Sequence, residues 1–335
     1  MHTIDLDEKY RLFRTNVKER GLTKRTYGYY ALLAVFVGTG FVLSYKVLTL
    51  TDNVWVQVGN ALFFSFVMMQ GAFLAHDLSH GQVFHRKGLN RFFGSGIWGL
   101  LLGGSEAAWY ERHNEHHEHV NQNGRDPDIN IPFLFKQNQQ AGTFSFNPRI
   151  AQYQHILFFI SLPVWYLSQL LTTWTERPHL FRSPRGSIEI MLAVVHFLVL
   201  FFLVFTNLSL MTGFVFLAVH VVTTGFYMGL AFAPNHKGED IIAEDSEVTW
   251  VEQITSTRNL YPSFFIFHLF GGLNYQVEHH LFPGVSRYQY PKIQKMVQAF
   301  CIENNIRYHQ TTWVGSMKEI YIALKIEAER MKGAA

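Results

Sequence analysis

A chain of 335 residues in which 48% of side chains are hydrophobic and only 16% are charged is too apolar for an ordinary soluble domain. The formal net charge of +3, with no basic patch interleaved with aromatics, argues against a nucleic-acid partner. A single cysteine, Cys301, excludes an intramolecular disulfide and a cysteine-ligated iron–sulfur cluster within the chain.

Residues 1–26 are polar and basic, with Lys9, Arg11, Arg14, Lys18, Arg20, Lys24 and Arg25 ahead of the first apolar run. No apolar run begins before about Tyr29, so the start of the chain lacks a secretory-signal pattern. The positive-inside rule places this segment in the cytoplasm. Runs 27–50 and 54–75 each reach the roughly 20 residues a bilayer crossing needs, and Thr51, Asp52 and Asn53 make a turn between them. They predict a hairpin that returns to the cytoplasmic side just before His76. Residues 92–104 are apolar but short and glycine-rich, which predicts an interfacial segment.

Three more apolar runs follow, at 154–174, 188–206 and 210–233. The first contains Gln154, His155, Pro163 and Gln169 and is followed by Arg177, Arg182 and Arg185. We read it as interfacial or re-entrant, which leaves four crossings with both termini cytoplasmic. Residues 284–335 predict a cytoplasmic cap with amphipathic helices at Tyr290–Cys301 and Ser316–Lys332. No internal repeat interrupts this plan. The expected organisation is a basic cytoplasmic segment (1–26), a membrane domain (27–310) and an amphipathic tail (311–335).

The chemistry lies in the histidines. Three tight clusters flank apolar runs: His76 and His80; His113, His116 and His117; and His279 and His280. His236 stands apart, next to Asn235. Side chains three or four apart share a helix face, so His76/His80 and His113/His116/His117 can each converge. Adjacent imidazoles diverge by about 100° on a helix. The doublets His116–His117 and His279–His280 therefore suit two metals side by side. Eight imidazoles exceed the four positions of one tetrahedral zinc. An all-imidazole site with open positions suits iron that activates oxygen, although ligand type alone also admits zinc. Asp77, Glu115 and Glu278 stand between the histidines as candidate partners for ligand N–H groups. His85, five residues past the first cluster, is a further candidate ligand. His119, His155, His179, His196, His220, His268 and His309 read as ordinary, with hydrogen-bonded packing expected for the two inside apolar runs.

Several stretches together carry a resemblance: HDLSH at 76–80, HNEHH at 113–117 and QVEHH at 276–280. Trp109, Asn121 and Asp126-Pro127-Asp128 flank the second. Leu273-Asn274-Tyr275 precedes the third, and Leu281-Phe282-Pro283 and Tyr290-Pro291-Lys292-Ile293 follow it. Over residues 55 to 310 the chain resembles the membrane fatty acid desaturases, and Gln276 in place of a third-box histidine resembles their front-end and acyl-lipid branch.

The resemblance implies an all-α integral membrane fold, with four transmembrane helices, interfacial helices and a histidine-rich cytoplasmic cap holding a dimetal site. It implies two irons on His76, His80, His113, His116, His117, His236, His279 and His280, with Gln276 and Asn235 as additional metal-facing candidates and Trp109 as a substrate contact. The implied reaction introduces a double bond into an acyl lipid or acyl-CoA, using O2 and two external electrons. Residues 1–26 lack the HPGG motif of a fused cytochrome b5 domain, so the expected electron donor is a separate protein: a ferredoxin, cytochrome b5 or a reductase. Relatives often carry histidine where this chain has Arg287, so that position is not expected to be a ligand. A diiron lipid hydroxylase or ketolase is the alternative within the same chemistry. A zinc-dependent membrane lipid hydrolase or a lipid receptor is the alternative from another class.

Overall fold

The computed structural model describes residues 5–131, 134 and 146–333. The helices, in chain order, are α1 (Leu6–Glu19), α2 (Tyr27–Leu50), α3 (Val54–Ser79), α4 (Lys87–Leu100), α5 (Glu106–Glu118), α6 (Pro148–Ala151), α7 (Gln154–Ser161) and α8 (Trp165–Thr175). They continue with α9 (Pro184–Asn207), α10 (Leu210–His236), α11 (Trp250–Thr255), α12 (Phe264–Leu269), α13 (Gln276–Leu281), α14 (Tyr290–Glu303) and α15 (Trp313–Gly333). Strands β1 (Arg258–Leu260) and β2 (His309–Thr311) pair in parallel, with Arg258 opposite His309 and Leu260 opposite Thr311. The chain is mostly helical, and this short ladder corrects the all-α expectation. Three-residue strands separated by some fifty residues leave no alternating pattern long enough to read. The helices expected at 290–301 and 316–332 correspond to α14 and α15.

Internal contacts divide the chain into two compact units. One comprises the described residues of Tyr27–Asn114 and Phe158–Phe232; the other comprises those of Met1–Thr26, Glu115–Leu157 and Ala233–Ala335.

In the first unit, α2 and α3 form the expected hairpin. The Asn53 side chain caps α3 by accepting from the backbone N–H groups of Trp55 (3.0 Å) and Val56 (3.2 Å). Between the two helices, Ser44 and Asn60 exchange hydrogen bonds at 2.8 and 3.1 Å. Such polar pairs join apolar helices where lipid supplies no hydrophobic drive. The Asp52 carboxylate accepts from Ser209 N at 2.9 Å, so the α2–α3 turn lies beside the α9–α10 turn. That bond holds the exposed Asp52 carboxyl below its ordinary value. Leu32, Leu198, Phe202 and Phe214 point outward. Only 22% of the apolar window of α2, and likewise of α9, is buried within the protein. Outward faces of this kind need an apolar solvent.

Among the described residues, five segments are long and apolar enough to cross a membrane: 27–50, 54–79, 154–175, 184–207 and 210–236. The expectation of four set 154–174 aside. That segment is broken into α7, a 3-10 turn at Leu162–Val164 and α8. Pro163 sits in the turn, where its missing N–H and ring bulk interrupt an α-helix. Gly225 of α10 packs directly on this break, and a Cβ there would clash with the backbone carbonyls of Leu162 and Pro163. Because backbone cannot rotate away as a side chain can, Gly225→Ala is expected to cost about 1–3 kcal/mol. Thermal unfolding in detergent reads this directly; an unchanged midpoint contradicts the close approach.

The start of α5 is fixed from α9. Buried Glu189 accepts from Ser95 Oγ (3.1 Å), Ala107 N (3.2 Å) and Arg185 Nε (3.1 Å), and Arg185 also pairs with Glu106. One turn further along α5, Arg112 pairs with Glu176 at 2.8 Å.

The second unit has its own core. Tyr10, Phe13 and Val17 of α1 pack with Val277 and Leu281 of α13 and with Ile293, Val297 and Cys301 of α14. The Tyr10 ring stacks on Trp250 at 4.2 Å. Thus α1 closes over the helix that carries two of the histidines.

Candidate metal centre

In the first unit the ring nitrogens of His76, His80 and His113 approach within 4.8 Å of one another. The rings of His76 and His80, one turn apart at the end of α3, are 4.7 Å apart. That of His113 on α5 is 5.1 Å from His76 and 4.9 Å from His80. His76 and His113 are buried. His76 Nδ1 lies 3.2 Å from Asp77 Oδ1, and the other Asp77 oxygen accepts from the Tyr30 hydroxyl at 2.9 Å. Trp109 stacks on His113, with ring centres 4.3 Å apart, and on Trp98 at 5.0 Å. This indole is a wall against the imidazoles.

In the second unit His116, His236 and His280, all buried, form another group within 4.8 Å. His236 Nε2 and His280 Nε2 are 3.1 Å apart. His117 Nε2 and His279 Nε2 are 3.0 Å apart. Two imidazole nitrogens this close share either a proton or a cation. Within the adjacent doublets the ring centres are 5.8 Å apart for His116 and His117 and 5.7 Å apart for His279 and His280. His280 Nε2 approaches His236 and His279 Nε2 approaches His117, and the His117 ring also lies 4.4 Å from that of His280.

The hydrogen bonds behind the rings decide which nitrogen is available. His116 Nδ1 lies 3.0 Å from both oxygens of buried Asp126. His280 Nδ1 lies 2.8 Å from Gln253 Oε1, and His279 Nδ1 lies 3.2 Å from the Tyr290 hydroxyl. A carboxylate or an amide oxygen can only accept, so it draws the proton to Nδ1 and leaves the Nε2 lone pair turned inward. Gln276 matches this arrangement. Its Nε2 lies 3.1 Å from His236 Nε2 and 3.3 Å from His280 Nε2, while its Oε1 accepts from Asn235 Nδ2 at 3.2 Å. Gln276, Asn235 and His236, proposed from separate stretches of sequence, therefore meet in one place. Burial lowers the pKa of His116, and the adjacent Asp126 more than offsets this, so that it lies above its ordinary value.

Closely grouped imidazoles, three of them with Nδ1 beside an Asp or Gln oxygen, fit a borderline transition metal such as iron. No thiolate is present to favour a soft cation; buried Cys301 packs in the α14 core.

His85 is exposed, with its ring edge-on to Tyr27 at 6.3 Å, and belongs to neither group. His196 Nδ1 bonds Leu100 O at 2.9 Å and His220 Nδ1 bonds Ser65 Oγ at 2.9 Å, the packing roles expected of them. Glu278 does not back a ligand. Its carboxyl accepts from Asn259 Nδ2 (2.7 Å) and the Tyr308 hydroxyl (2.9 Å), and burial pushes it up to about 7. Sequence reasoning missed Gln253 and the ligand-supporting roles of Asp126 and Tyr290. The DPD and YPKI stretches signalled the last two without revealing what they touch.

Away from these histidines, Glu239, His309 and Glu319 also bring ligand atoms within 4.8 Å of one another. Arg258 occupies this cluster, 2.9 Å from each carboxylate, so the charge there is already matched.

Comparison with known proteins adds the lineage. The family model described as fatty acid desaturase matches residues 53–312. The acyl-lipid (9-3)-desaturase of Physcomitrium patens is 28% identical over 339 aligned positions, covering 98% of this chain and 64% of that protein. The delta(8)-fatty-acid desaturase of Euglena gracilis is 29% identical, covering 71% of this chain and 60% of that protein. Human fatty acid desaturase 3 is 25% identical, covering 96% of this chain and 72% of that protein. This chain thus spans somewhat under two thirds of the length of the first two relatives. With all three histidine boxes inside the matched region, the chain belongs to the fatty acid desaturase family.

Proposed function

We propose that this chain is an oxygen-dependent acyl desaturase, working on an acyl lipid or acyl-CoA at a membrane. The supporting observation is the pair of imidazole groups, His76/His80/His113 and His116/His236/His280, each with ring nitrogens within 4.8 Å of one another and with an Asp or Gln oxygen beside Nδ1 of His76, His116 and His280. Each group would hold one of two irons, with His117 and His279 supplying further ligands and Gln276 a metal-facing amide. When bound, iron supplies the activation of O2 and the removal of hydrogen from an unactivated C–H bond. The overall change converts –CH2–CH2–, O2, two electrons and two protons into –CH=CH– and two waters. An electron donor such as a ferredoxin, cytochrome b5 or a reductase supplies the two electrons.

The residues of this chain contribute position and exclusion of water. Asp77, Asp126 and Gln253 hold the rings of His76, His116 and His280 through oxygens that only accept, and the Tyr290 hydroxyl lies 3.2 Å from His279 Nδ1. Trp109, stacked on His113, gives an apolar wall against which an acyl chain can lie.

In this reading four segments cross the membrane, 154–174 does not, and both termini and the histidines face the cytoplasm. A reporter fused after Arg185 is expected to read cytoplasmic. A signal from the opposite side means that 154–174 crosses.

The direct test is expression in a host lacking polyunsaturated lipids under 18O2, with mass spectrometry of the acyl chains. The expected product is a new double bond carrying no 18O. A hydroxyl or keto product carrying 18O would identify the hydroxylase or ketolase instead. Hydrolysed lipid without O2 uptake would identify a hydrolase.

A further inference from the structure

The end of α10, which carries His236, is held through its backbone by two side chains, those of Arg258 and Asn121. The last carbonyls of a helix lack partners within it. Here Pro234 O accepts from Arg258 Nε and Lys237 O accepts from Arg258 Nη2, both at 2.7 Å. His236 O, between them, accepts from Asn121 Nδ2 at 3.2 Å. The same amide nitrogen lies 3.1 Å from Ser256 O, two residues before Arg258. Both side chains are fully buried.

Asn121 does more than cap. Its own N–H donates to Asp126 Oδ2 at 2.8 Å, and Asp126 is the carboxylate that holds His116. One residue therefore joins the support of His116 to the backbone of His236. The backbone of Asn121 is left-handed (φ 51°), a conformation asparagine tolerates better than most residues. Arg258 is fixed in turn by Glu239 and Glu319 through Nη1. A buried ion cluster is weak evidence of added stability, and a backbone cap with glycine would end a helix at less desolvation cost. Its distinctive effect is to restrict where the helix end can sit.

We propose that Asn121 and Arg258 are positioning residues for the His116–His236–His280 group. They clamp the end of α10 so that these three imidazoles are arranged before metal arrives. The inference rests on the reading that this group binds metal. Outer hydrogen-bond partners of metal ligands typically contribute 10–100-fold in metal affinity, and both residues act one bond further out, through backbone.

Two variants separate clamping from general support. Asn121→Gly keeps the left-handed backbone and the N–H to Asp126 but removes the amide. Arg258→Lys keeps the positive charge between Glu239 and Glu319 but cannot span four acceptors. Purified apoprotein in detergent is titrated with Fe(II), and separately with Co(II), against a competing chelator, and its thermal midpoint is recorded without metal. For Asn121→Gly the expected result is one of two binding steps weakened about 10-fold, the other unchanged, and an apoprotein midpoint close to wild type. Arg258→Lys is expected to weaken the same step at least as much. Wild-type affinity at both steps in Asn121→Gly overturns the clamp and leaves the metal reading standing. Equal weakening of both steps, in proportion to a fall in the apoprotein midpoint, also overturns it in favour of general structural support. A wild-type protein that binds neither ion overturns the metal reading and the clamp together.

Discussion

Alanine in place of His80, His117 or His280, one at a time, is expected to abolish desaturation and lower bound iron while the protein still inserts and folds. Each imidazole is one of few donors around its metal, and alanine offers nothing in exchange. The loss should exceed the 10–100-fold typical of outer partners. The fold is expected to survive because the cores do not depend on these rings. Val277 and Leu281, which flank His279 and His280 on α13, pack into the α1–α14 core. Gln253, the partner of His280, keeps its second bond to the backbone carbonyl of His117. Product analysis, metal analysis and membrane fractionation of the same preparations read all three expectations. Wild-type turnover in His117→Ala rejects that residue as a ligand.

Asp126→Asn is expected to have the next largest effect. The carboxylate is fully buried and accepts from three groups: His116 Nδ1 at 3.0 Å, Asn121 N at 2.8 Å and Asp128 N at 2.8 Å. An amide retains one acceptor oxygen and turns a donor toward one of these N–H groups. A buried donor left unsatisfied costs about 1–3 kcal/mol. Losing the charge also makes the His116 imidazole a poorer ligand, so metal affinity at its group should fall roughly 10–100-fold. Asp128→Asn is the matched control. Its carboxylate is 41% exposed and 3.8 Å from His116 Nδ1, so little change is expected. Chelator competition and thermal unfolding check both variants. Equal effects from the two substitutions would mean that the local negative charge matters more than the bond to His116.

The sequence made some features legible and concealed others for identifiable reasons. Helical spacing places His76 beside His80, and adjacency sets the ring centres of His279 and His280 5.7 Å apart, because both follow from one local geometry. The α2–α3 hairpin was readable from two apolar runs and a polar turn that supplies its own cap, Asn53. Partners at a distance were not readable. Asp77 supports its neighbour as expected, but His116 takes its carboxylate from Asp126, ten residues on, and Glu278 serves Asn259 and Tyr308 instead of a ligand. Gln253 reaches His280 from α11, a helix of six residues with no periodic signature. Arg258 lies on a three-residue strand and is recognisable as a helix clamp only once α10 is seen to end against it. His85 shows the opposite failure: proximity in sequence suggested a ligand, yet the turn after α3 leaves it exposed.

Metal analysis of protein purified without added metal tests the central claim most directly. Two imidazole groups of this kind predict two irons per chain, with a Mössbauer spectrum in which every iron site is nitrogen- and oxygen-ligated and none is sulfur-ligated. A single zinc per chain, with no iron after reconstitution under reducing conditions, would contradict it.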